Sequence, residues 1–229
     1  MICIHICSKR EWRALKDILN INEDLIGCTP YGEYIYKSIV GKECTFYHSG
    51  ATKTKSSGAC QYAIDKWNPQ FVFVLGTCGG VSEKLNILDI VITNKTVQYD
   101  CINRMEDKSP IFYEILTEDI DNGWIDFEGL SLNMVEGLIA TADQDLGQEQ
   151  MDKLRSENVL CADWESGAIS HICKLNKIKC CILRGITDIP RKNDINSDKN
   201  QGIDYRINTP LIMEKLINTL LPELLKQLN

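Results

Sequence analysis

Long hydrophobic runs and an excess of positive charge are both missing from this sequence of 229 residues. No run of about 18 apolar residues occurs, so we predict no membrane-spanning helix. The formal net charge is −7, which disfavours binding to nucleic acid or to an anionic membrane surface. We therefore expect neither nucleic acid nor a membrane among the partners.

Paired cysteine motifs are missing too, although eleven cysteines are present. Their number is odd and no C-x-x-C pair occurs, so the pattern does not indicate a disulfide framework. Cys3, Cys7 and Cys180 lie in apolar runs, where free thiols act as small buried hydrophobes. Cys3, His5 and Cys7 would share one face of a strand, but a zinc site needs a fourth ligand and turn-like spacing. We expect no metal, no cofactor and a reducing, cytoplasmic environment.

The composition is typical of a single folded domain over residues 1–229. Hydrophobic residues make up 44% and charged residues 25%, and a chain of this length can bury one sizeable core. The predicted strands are 2–7, 34–40, 43–48, 71–80 (running into a glycine turn), 88–93, 136–142 and 178–183. The predicted helices are 10–20, 55–67, 148–157 and 164–175. This alternation predicts an α/β fold with a central mixed, largely parallel sheet flanked by helices.

Two segments give weaker patterns. Residues 101–135 have mixed periodicity and support no assignment. Residues 190–208 are polar and predict a mobile loop. Thr209 and Pro210 then predict the N-cap and first position of a final helix, with a kink at Pro222.

Ionisable side chains follow several of the predicted strands. They include Glu11, Asp143, Glu165, Arg184 and Asp188. Any one of them could be a solvated or capping residue. Ligands bind beyond the carboxyl ends of the strands in such sheets, and several charges at one edge are costly without a polar ligand. The set therefore predicts a binding site for a polar small molecule.

Three segments carry a resemblance to a known family. "ICSKREWRAL" (6–15), "FVFVLGTCGGVSEKLNILDIVIT" (71–93) and "CADWESGAISHICKLNKIKCCILRGITD" (161–188) resemble the motifs of the nucleoside phosphorylase and nucleosidase family. The similarity extends over residues 2–189. Within the family, the chain is most similar to hydrolases of 5'-thio-substituted adenosines. The resemblance implies a nucleoside phosphorylase-like fold, a small-molecule nucleoside substrate and a homodimer.

The resemblance assigns roles to three carboxylates. Asp188 matches the aspartate that hydrogen-bonds purine N7 and the 6-amino group, and an acid at N7 would assist departure of the base. Glu165 matches the glutamate that binds the ribose 2'- and 3'-hydroxyl groups, which suit its two oxygens. Glu11 matches the base that activates water, as in inverting glycosidases. An aspartate at 188, rather than an asparagine, suits adenine.

The resemblance also implies a set of substrate-binding residues. Trp164 replaces a methionine beneath the sugar. Thr77 and Arg184 match residues that help to place the water and the sugar. Gly76 begins the glycine turn, and the backbone at Leu146 reads adenine.

Several alternatives remain open. The phosphorylases carry an arginine where this chain has Val74, which favours water as the nucleophile. Arg184 could bind phosphate alone, so a phosphorylase is an alternative, as is a nucleoside-binding protein without turnover.

The parts of the pattern that contact the base and the 5'-group depart from the family. No aromatic residue stands at Asp145 or Leu146, so Trp164 or Tyr99 is the candidate to stack on the base. The second glycine of Ser-Gly-x-Gly-Lys is replaced by Thr52. Residues 99–115 are expected to line the 5'-pocket: Arg104 and Lys108 could face a charged 5'-group or be solvated, and Met105, Ile111 and Phe112 could form an apolar wall.

Overall fold

The structure is a computed structural model that describes residues 1–102, 116–190 and 197–228. The strands are β1 (Ile2–Ile6), β2 (Gly27–Cys28), β3 (Glu33–Ile39), β4 (Lys42–His48), β5 (Phe71–Gly80), β6 (Ile90–Gln98), β7 (Thr117–Asp119), β8 (Met134–Thr141), β9 (Cys161–Asp163) and β10 (Lys179–Asp188). The helices are α1 (Lys9–Ile18), α2 (Lys53–Trp67), α3 (Gln148–Ser156), α4 (Ser166–Leu175), α5 (Ser197–Glu214) and α6 (Leu221–Lys226), and a π-helical segment (Lys215–Leu220) joins the last two.

The sheet closes on itself around strand β5. β5 pairs with β10, β10 with β6, β6 with β8, and β8 with β9. β9 then pairs with the end of β5, which closes the ring. On its other side β5 pairs with β1, and β4, β3 and β2 extend the sheet outwards. Among the described residues, five strand pairings are parallel and five antiparallel. The expected α/β fold with a mixed sheet and flanking helices is confirmed.

Both faces of the central strands are buried, as their continuous apolar sequences predict. Ile4 and Phe73 face a core formed with α1 and the C-terminal helices. Cys3 and Val72 face the opposite core, beneath α2 and α4. The buried strands therefore hold the residues at their ends in fixed positions.

The predicted glycine turn after β5 is wrong, because the strand continues through Gly80. Gly76 pairs in register with Arg184 of β10. A Cβ atom at Gly76 would overlap Arg184 Nη1 and lie 2.6 Å from Glu11 Oε1. The glycine is needed for close approach of two charged side chains to the strand, and not for a turn.

The prediction of a loop over 190–208 is also wrong from residue 197 onwards, because helix α5 begins at Ser197; residues 191–196 lie outside the described residues. Pro210 lies inside this helix and does not begin one. Asn208 Nδ2 donates to the Thr187 carbonyl group at 2.7 Å, which ties the helix to β10. Within the described segments, no helix is both long and apolar enough to cross a membrane.

Candidate active site

A cavity of about 420 Å³ lies where several strands end. Its walls come from residues that follow β1, β6, β8 and β9 and from the end of β10. The size suits a ligand such as a nucleoside. Glu11, Thr77, Leu146, Trp164, Glu165 and Asp188 line it.

Glu11 is fixed by the start of helix α1. Ser8 is the N-cap: its Oγ accepts the Glu11 N–H at 3.1 Å, and its own N–H donates to Glu11 Oε2 at 2.7 Å. This capping box is worth about 1 kcal/mol to a helix. The other oxygen, Oε1, accepts the N–H and hydroxyl group of Thr77, at 2.6 and 2.8 Å. The carboxylate is therefore held on both oxygens although it is only 2% exposed.

Arg184 lies behind the cavity wall and is completely buried. Its Nη2 forms an ion pair with Asp163 Oδ2 at 2.9 Å and lies 3.6 Å from Glu165 Oε2. Its Nη1 lies 4.0 Å from Glu11 Oε1 and has no hydrogen-bond partner among the described residues. A buried guanidinium with one unpaired donor can serve a ligand or a water molecule beside Glu11.

Asp163 is a buried residue to which the sequence analysis gave no role. It accepts hydrogen bonds from Thr141 Oγ1 at 2.7 Å and from the Ser166 N–H and hydroxyl groups at 3.1 and 2.5 Å. Ser166 Oγ in turn accepts from Arg184 Nε at 3.0 Å. Asp163 thus orients the arginine and the start of α4. No sequence signal distinguished it from its neighbours, because its partners lie on distant strands.

Glu165 precedes helix α4 and is 7% exposed. Its Oε1 accepts the Thr52 N–H at 3.3 Å. Burial, with the Asp163 carboxylate next, raises the pKa of Glu165 to about 8 although Arg184 opposes the change. The cavity thus holds a carboxyl group that is ready to exchange hydrogen bonds with a polar ligand.

Asp188 ends strand β10 and is 9% exposed. Its Oδ1 accepts the hydroxyl proton of Thr187 at 2.6 Å. Burial raises the pKa of Asp188 to about 6, assisted by the charges of Asp204 and Asp145. About a tenth of the group therefore still carries a proton at pH 7, and half of it at pH 6, where a general acid can use it.

The structure separates the predicted substrate-binding residues into two sets. Trp164 and Leu146 line the cavity with Glu165 and Thr77, whereas Gly76 and Arg184 lie directly behind its wall. Tyr99 lines it too. Both candidates for stacking on a base, Trp164 and Tyr99, are therefore at the cavity.

The predicted 5'-pocket segment lies mostly outside the described residues. Arg104, Lys108, Met105, Ile111 and Phe112 all belong to this part of the chain.

Ser8 and Tyr205 line the cavity but were not singled out from the sequence. The S-x-x-E spacing of Ser8 and Glu11 was a signal that could have found the first, because it is a capping box. Tyr205 lay in the segment that was assigned to a loop.

A metal site is not supported by the donor groups of the described residues. No group of three or more His, Cys, Asp or Glu side chains there could hold an ion. Cys3 and Cys7 are buried thiols, and His5 Nδ1 hydrogen-bonds the Tyr47 hydroxyl group at 2.9 Å. These three side chains therefore belong to the core.

The fold and the site define a class of protein that comparison with known families identifies. The sequence profile of the Phosphorylase superfamily matches residues 9–218. The chain therefore belongs to the Phosphorylase superfamily.

Individual relatives are more distant. The protein named 5'-methylthioadenosine/S-adenosylhomocysteine nucleosidase from Haemophilus ducreyi is 26% identical over 208 residues, which are 84% of this chain and 82% of the relative. A solved Helicobacter pylori nucleosidase of that name superposes with a TM-score of 0.79 at 19% identity, over 99% of this chain and 98% of the other. The futalosine hydrolase of Helicobacter pylori superposes with a TM-score of 0.75 at 18% identity, over 99% of this chain and 95% of that protein. At such identities, the solved structures support the fold alone.

Proposed function

We propose that this protein hydrolyses the N-ribosidic bond of adenine nucleosides, with 5'-methylthioadenosine and S-adenosylhomocysteine as the first candidate substrates. The observation that carries the proposal is the placement of three buried carboxyl groups, Glu11, Glu165 and Asp188, around one cavity of about 420 Å³. Relatives that bear the name of this activity cover most of the chain.

Asp188 is the general acid of the proposed reaction. The N-ribosidic bond breaks through an oxocarbenium-like sugar, so the base must leave without accumulating negative charge. A carboxyl group that retains its proton near pH 6 can donate that proton to purine N7 as the bond breaks. Such a contribution is typically about 10²- to 10⁴-fold in rate.

Glu165 and Glu11 act on the sugar and on water. The two oxygens of Glu165 suit the vicinal ribose hydroxyl groups. Glu11 is the general base that takes a proton from the attacking water. The unpaired Nη1 of Arg184, 4.0 Å from Glu11 Oε1, gives that water a donor on its other side. Thr77 holds the carboxyl group of Glu11, the proposed general base, in position through two hydrogen bonds.

Phosphorolysis is the second candidate, because the unpaired Nη1 of Arg184 could contact a phosphate oxygen. Two observations favour hydrolysis. Val74 is a buried apolar residue of β5 where the phosphorylases carry an arginine. Arg184 already forms an ion pair with Asp163 and lies 4.0 Å from Glu11 Oε1, so a phosphate dianion would compete with these carboxyl groups for the arginine.

A homodimer is part of the proposal. It follows from the likeness to the nucleosidases, and sedimentation equilibrium of the purified protein tests it. A molecular mass near 26 kDa, that of one chain, would overturn it.

The deciding experiment measures adenine release in phosphate-free buffer. 5'-Methylthioadenosine, S-adenosylhomocysteine, adenosine and inosine are incubated with the protein, and the products are identified by mass spectrometry. We expect adenine and the free 5'-substituted ribose, and no reaction with inosine.

Two results would contradict this function. Release that requires added phosphate and yields ribose 1-phosphates would assign a phosphorylase. A nucleoside that raises the melting temperature without being cleaved would assign a binding protein.

A further inference from the structure

The proposed chemistry leaves one polar feature of the cavity without a role. The hydroxyl groups of Ser8 and Tyr205 both line it and hydrogen-bond each other at 2.8 Å. Neither group is needed to protonate the base, to bind the ribose hydroxyl groups or to activate water. We call these two side chains the hydroxyl pair.

The hydroxyl pair lies at the sugar end of the cavity. The Ser8 N–H donates to Glu11 Oε2 at 2.7 Å, so the pair adjoins the proposed base. The carboxyl groups whose charges act on Tyr205 are those of Glu11 and Glu165, whereas those that act on Asp188 are Asp204 and Asp145. A nucleoside with its base at Asp188 would therefore direct its sugar and 5'-carbon towards the pair.

The position of the hydroxyl pair is fixed on both sides. Ser8 caps helix α1 and accepts the Glu11 N–H at 3.1 Å. The guanidinium group of Arg10 lies 5.7 Å from the centre of the Tyr205 ring, within cation–π range. Helix α5, which carries Tyr205, is tied to β10 through Asn208. A ligand would meet these hydroxyl groups as preorganised donors.

The hydroxyl pair has one more proton than the described residues use. Two hydroxyl groups share a single hydrogen bond, so one O–H remains to donate. In the other described hydrogen bond to Ser8 Oγ, the Glu11 N–H is the donor and the serine oxygen accepts, so the hydroxyl proton of Ser8 is not used. Burial, and then the Glu11 and Glu165 carboxyl groups, raise the pKa of Tyr205 to about 12. Its phenol group is therefore protonated at neutral pH.

We propose that the hydroxyl pair donates a hydrogen bond to an oxygen atom on the 5'-carbon, so that nucleosides with a 5'-hydroxyl group are substrates of this site. This inference rests on the proposed function and extends its substrate range. A thioether sulfur is a weak acceptor and would use the pair poorly. Adenosine therefore joins the 5'-thio-substituted nucleosides as a substrate.

The test compares adenosine with 5'-deoxyadenosine, which lacks only the 5'-oxygen. A site that hydrogen-bonds a substrate hydroxyl group discriminates against the analogue without it, and we expect adenosine to have kcat/KM at least about tenfold higher, as one such bond provides. In the double variant Ser8→Ala/Tyr205→Phe, which removes both hydroxyl groups of the pair, the ratio should fall to within about threefold of one. Tyr62→Phe, which removes a hydroxyl group outside the cavity, should leave the ratio unchanged.

The ratio separates the two proposals. Equal kcat/KM for the two nucleosides in the wild type, or a ratio that Ser8→Ala/Tyr205→Phe leaves unchanged, would overturn the role of the hydroxyl pair while adenine release still supports the nucleosidase. If no nucleoside is cleaved, the nucleosidase fails, and the dissociation constants of the same two nucleosides, measured by calorimetry, test the pair. Tighter binding of adenosine that is lost in Ser8→Ala/Tyr205→Phe would support it, and equal binding would overturn it.

Discussion

Three carboxyl groups at one cavity acquire different properties from their surroundings. Glu11 is held by hydrogen bonds from Ser8 and Thr77. Glu165 and Asp188 are buried with fewer donors, and their pKa values rise to about 8 and about 6. The proton that Asp188 retains near pH 6 supports its assignment as the acid, and the hydrogen bonds that hold Glu11 beside Arg184 Nη1 support its assignment as the base.

Replacement of the acid tests this assignment at a single residue. Asp188→Asn keeps the size of the side chain but cannot transfer a proton to N7. We expect kcat to fall by about 10²- to 10⁴-fold, with nucleoside binding still measurable by calorimetry. Asp65→Asn, an exposed position on α2, is the control and should match the wild type. Wild-type kcat in Asp188→Asn would show that another group protonates the base.

The pH dependence of the rate follows from the same residue. Only protonated Asp188 can act as the acid, and its pKa is about 6. We expect kcat/KM for 5'-methylthioadenosine to be level from pH 5 to about 6 and to fall about tenfold per pH unit above that. Initial rates from pH 5 to 9 measure the profile.

If Asp188 is the acid, the pH dependence of the rate should also change in Asp188→Asn. The alkaline limb near pH 6 should disappear from the residual activity of Asp188→Asn. A limb that persists in this variant would belong to a different group.

At the scale of the secondary-structure elements, the start of helix α2 contains a strained residue. Thr52 has φ 98° and ψ 150°, and its side chain makes no capping hydrogen bond. Its N–H donates to Glu165 Oε1 at 3.3 Å. Non-glycine residues in such conformations cost about 1–3 kcal/mol and are found mostly at functional sites. Here the backbone is held in place by its contact with the Glu165 carboxyl group at the cavity.

Thr52→Gly should therefore stabilise the protein. Relief of strain exceeds the added entropy of the unfolded glycine, about 0.5–1 kcal/mol. We expect a net gain of about 1 kcal/mol, or about 2–4 °C in melting temperature, measured by calorimetry. Thr54→Gly, in the first turn of α2 and exposed, should give no gain. A lower melting temperature for Thr52→Gly would mean that the conformation carries no strain.

The elements that could be predicted from sequence are those with local signals. The strands at 71–80 and 178–183 and the helix at 55–67 follow directly from continuous or periodic apolar residues. Helix α5 could not be predicted, because its sequence is polar and Thr209-Pro210 imitates a helix start. Its contacts to Thr187 and Ser8 are distant in sequence. Tertiary contacts outweigh local propensity there.

At the scale of the whole molecule, the cavity depends on the closure of the sheet. The segment after β8 reaches the cavity only because β9 pairs with both β8 and the end of β5. Strand β9 has three residues, Cys161–Asp163, which is too short for an alternation of apolar and polar residues to be recognised in the sequence. The positions of Glu11, Glu165 and Asp188 at one edge were predictable from the strand order. The network of Asp163 and Arg184 beneath them required the closed sheet.

The buried carboxyl groups also make the stability of the whole protein depend on pH. Folding raises the pKa of Asp188 from 3.8 to about 6 and that of Glu165 from 4.5 to about 8, so the folded state binds protons more tightly than the unfolded state. The free energy of unfolding is therefore greatest below pH 3.8, where both groups are protonated in the folded and the unfolded state. It declines as the pH rises through the folded-state pKa values of about 6 for Asp188 and about 8 for Glu165. Asp188 alone accounts for a loss of about 3 kcal/mol.

Urea unfolding of the ligand-free protein at pH 5 and pH 8 measures most of the Glu165 loss and about half of the Asp188 loss, because pH 5 already lies above the unfolded pKa of Asp188. We expect a lower free energy of unfolding at pH 8, and a smaller difference in both Asp188→Asn and Glu165→Gln, because each variant removes one group that must ionise in a buried place. Asp65→Asn should retain the full difference. Equal stability of the wild type at both pH values would show that the two carboxyl groups are solvated in the folded state, which would also remove the physical basis for an acid at position 188.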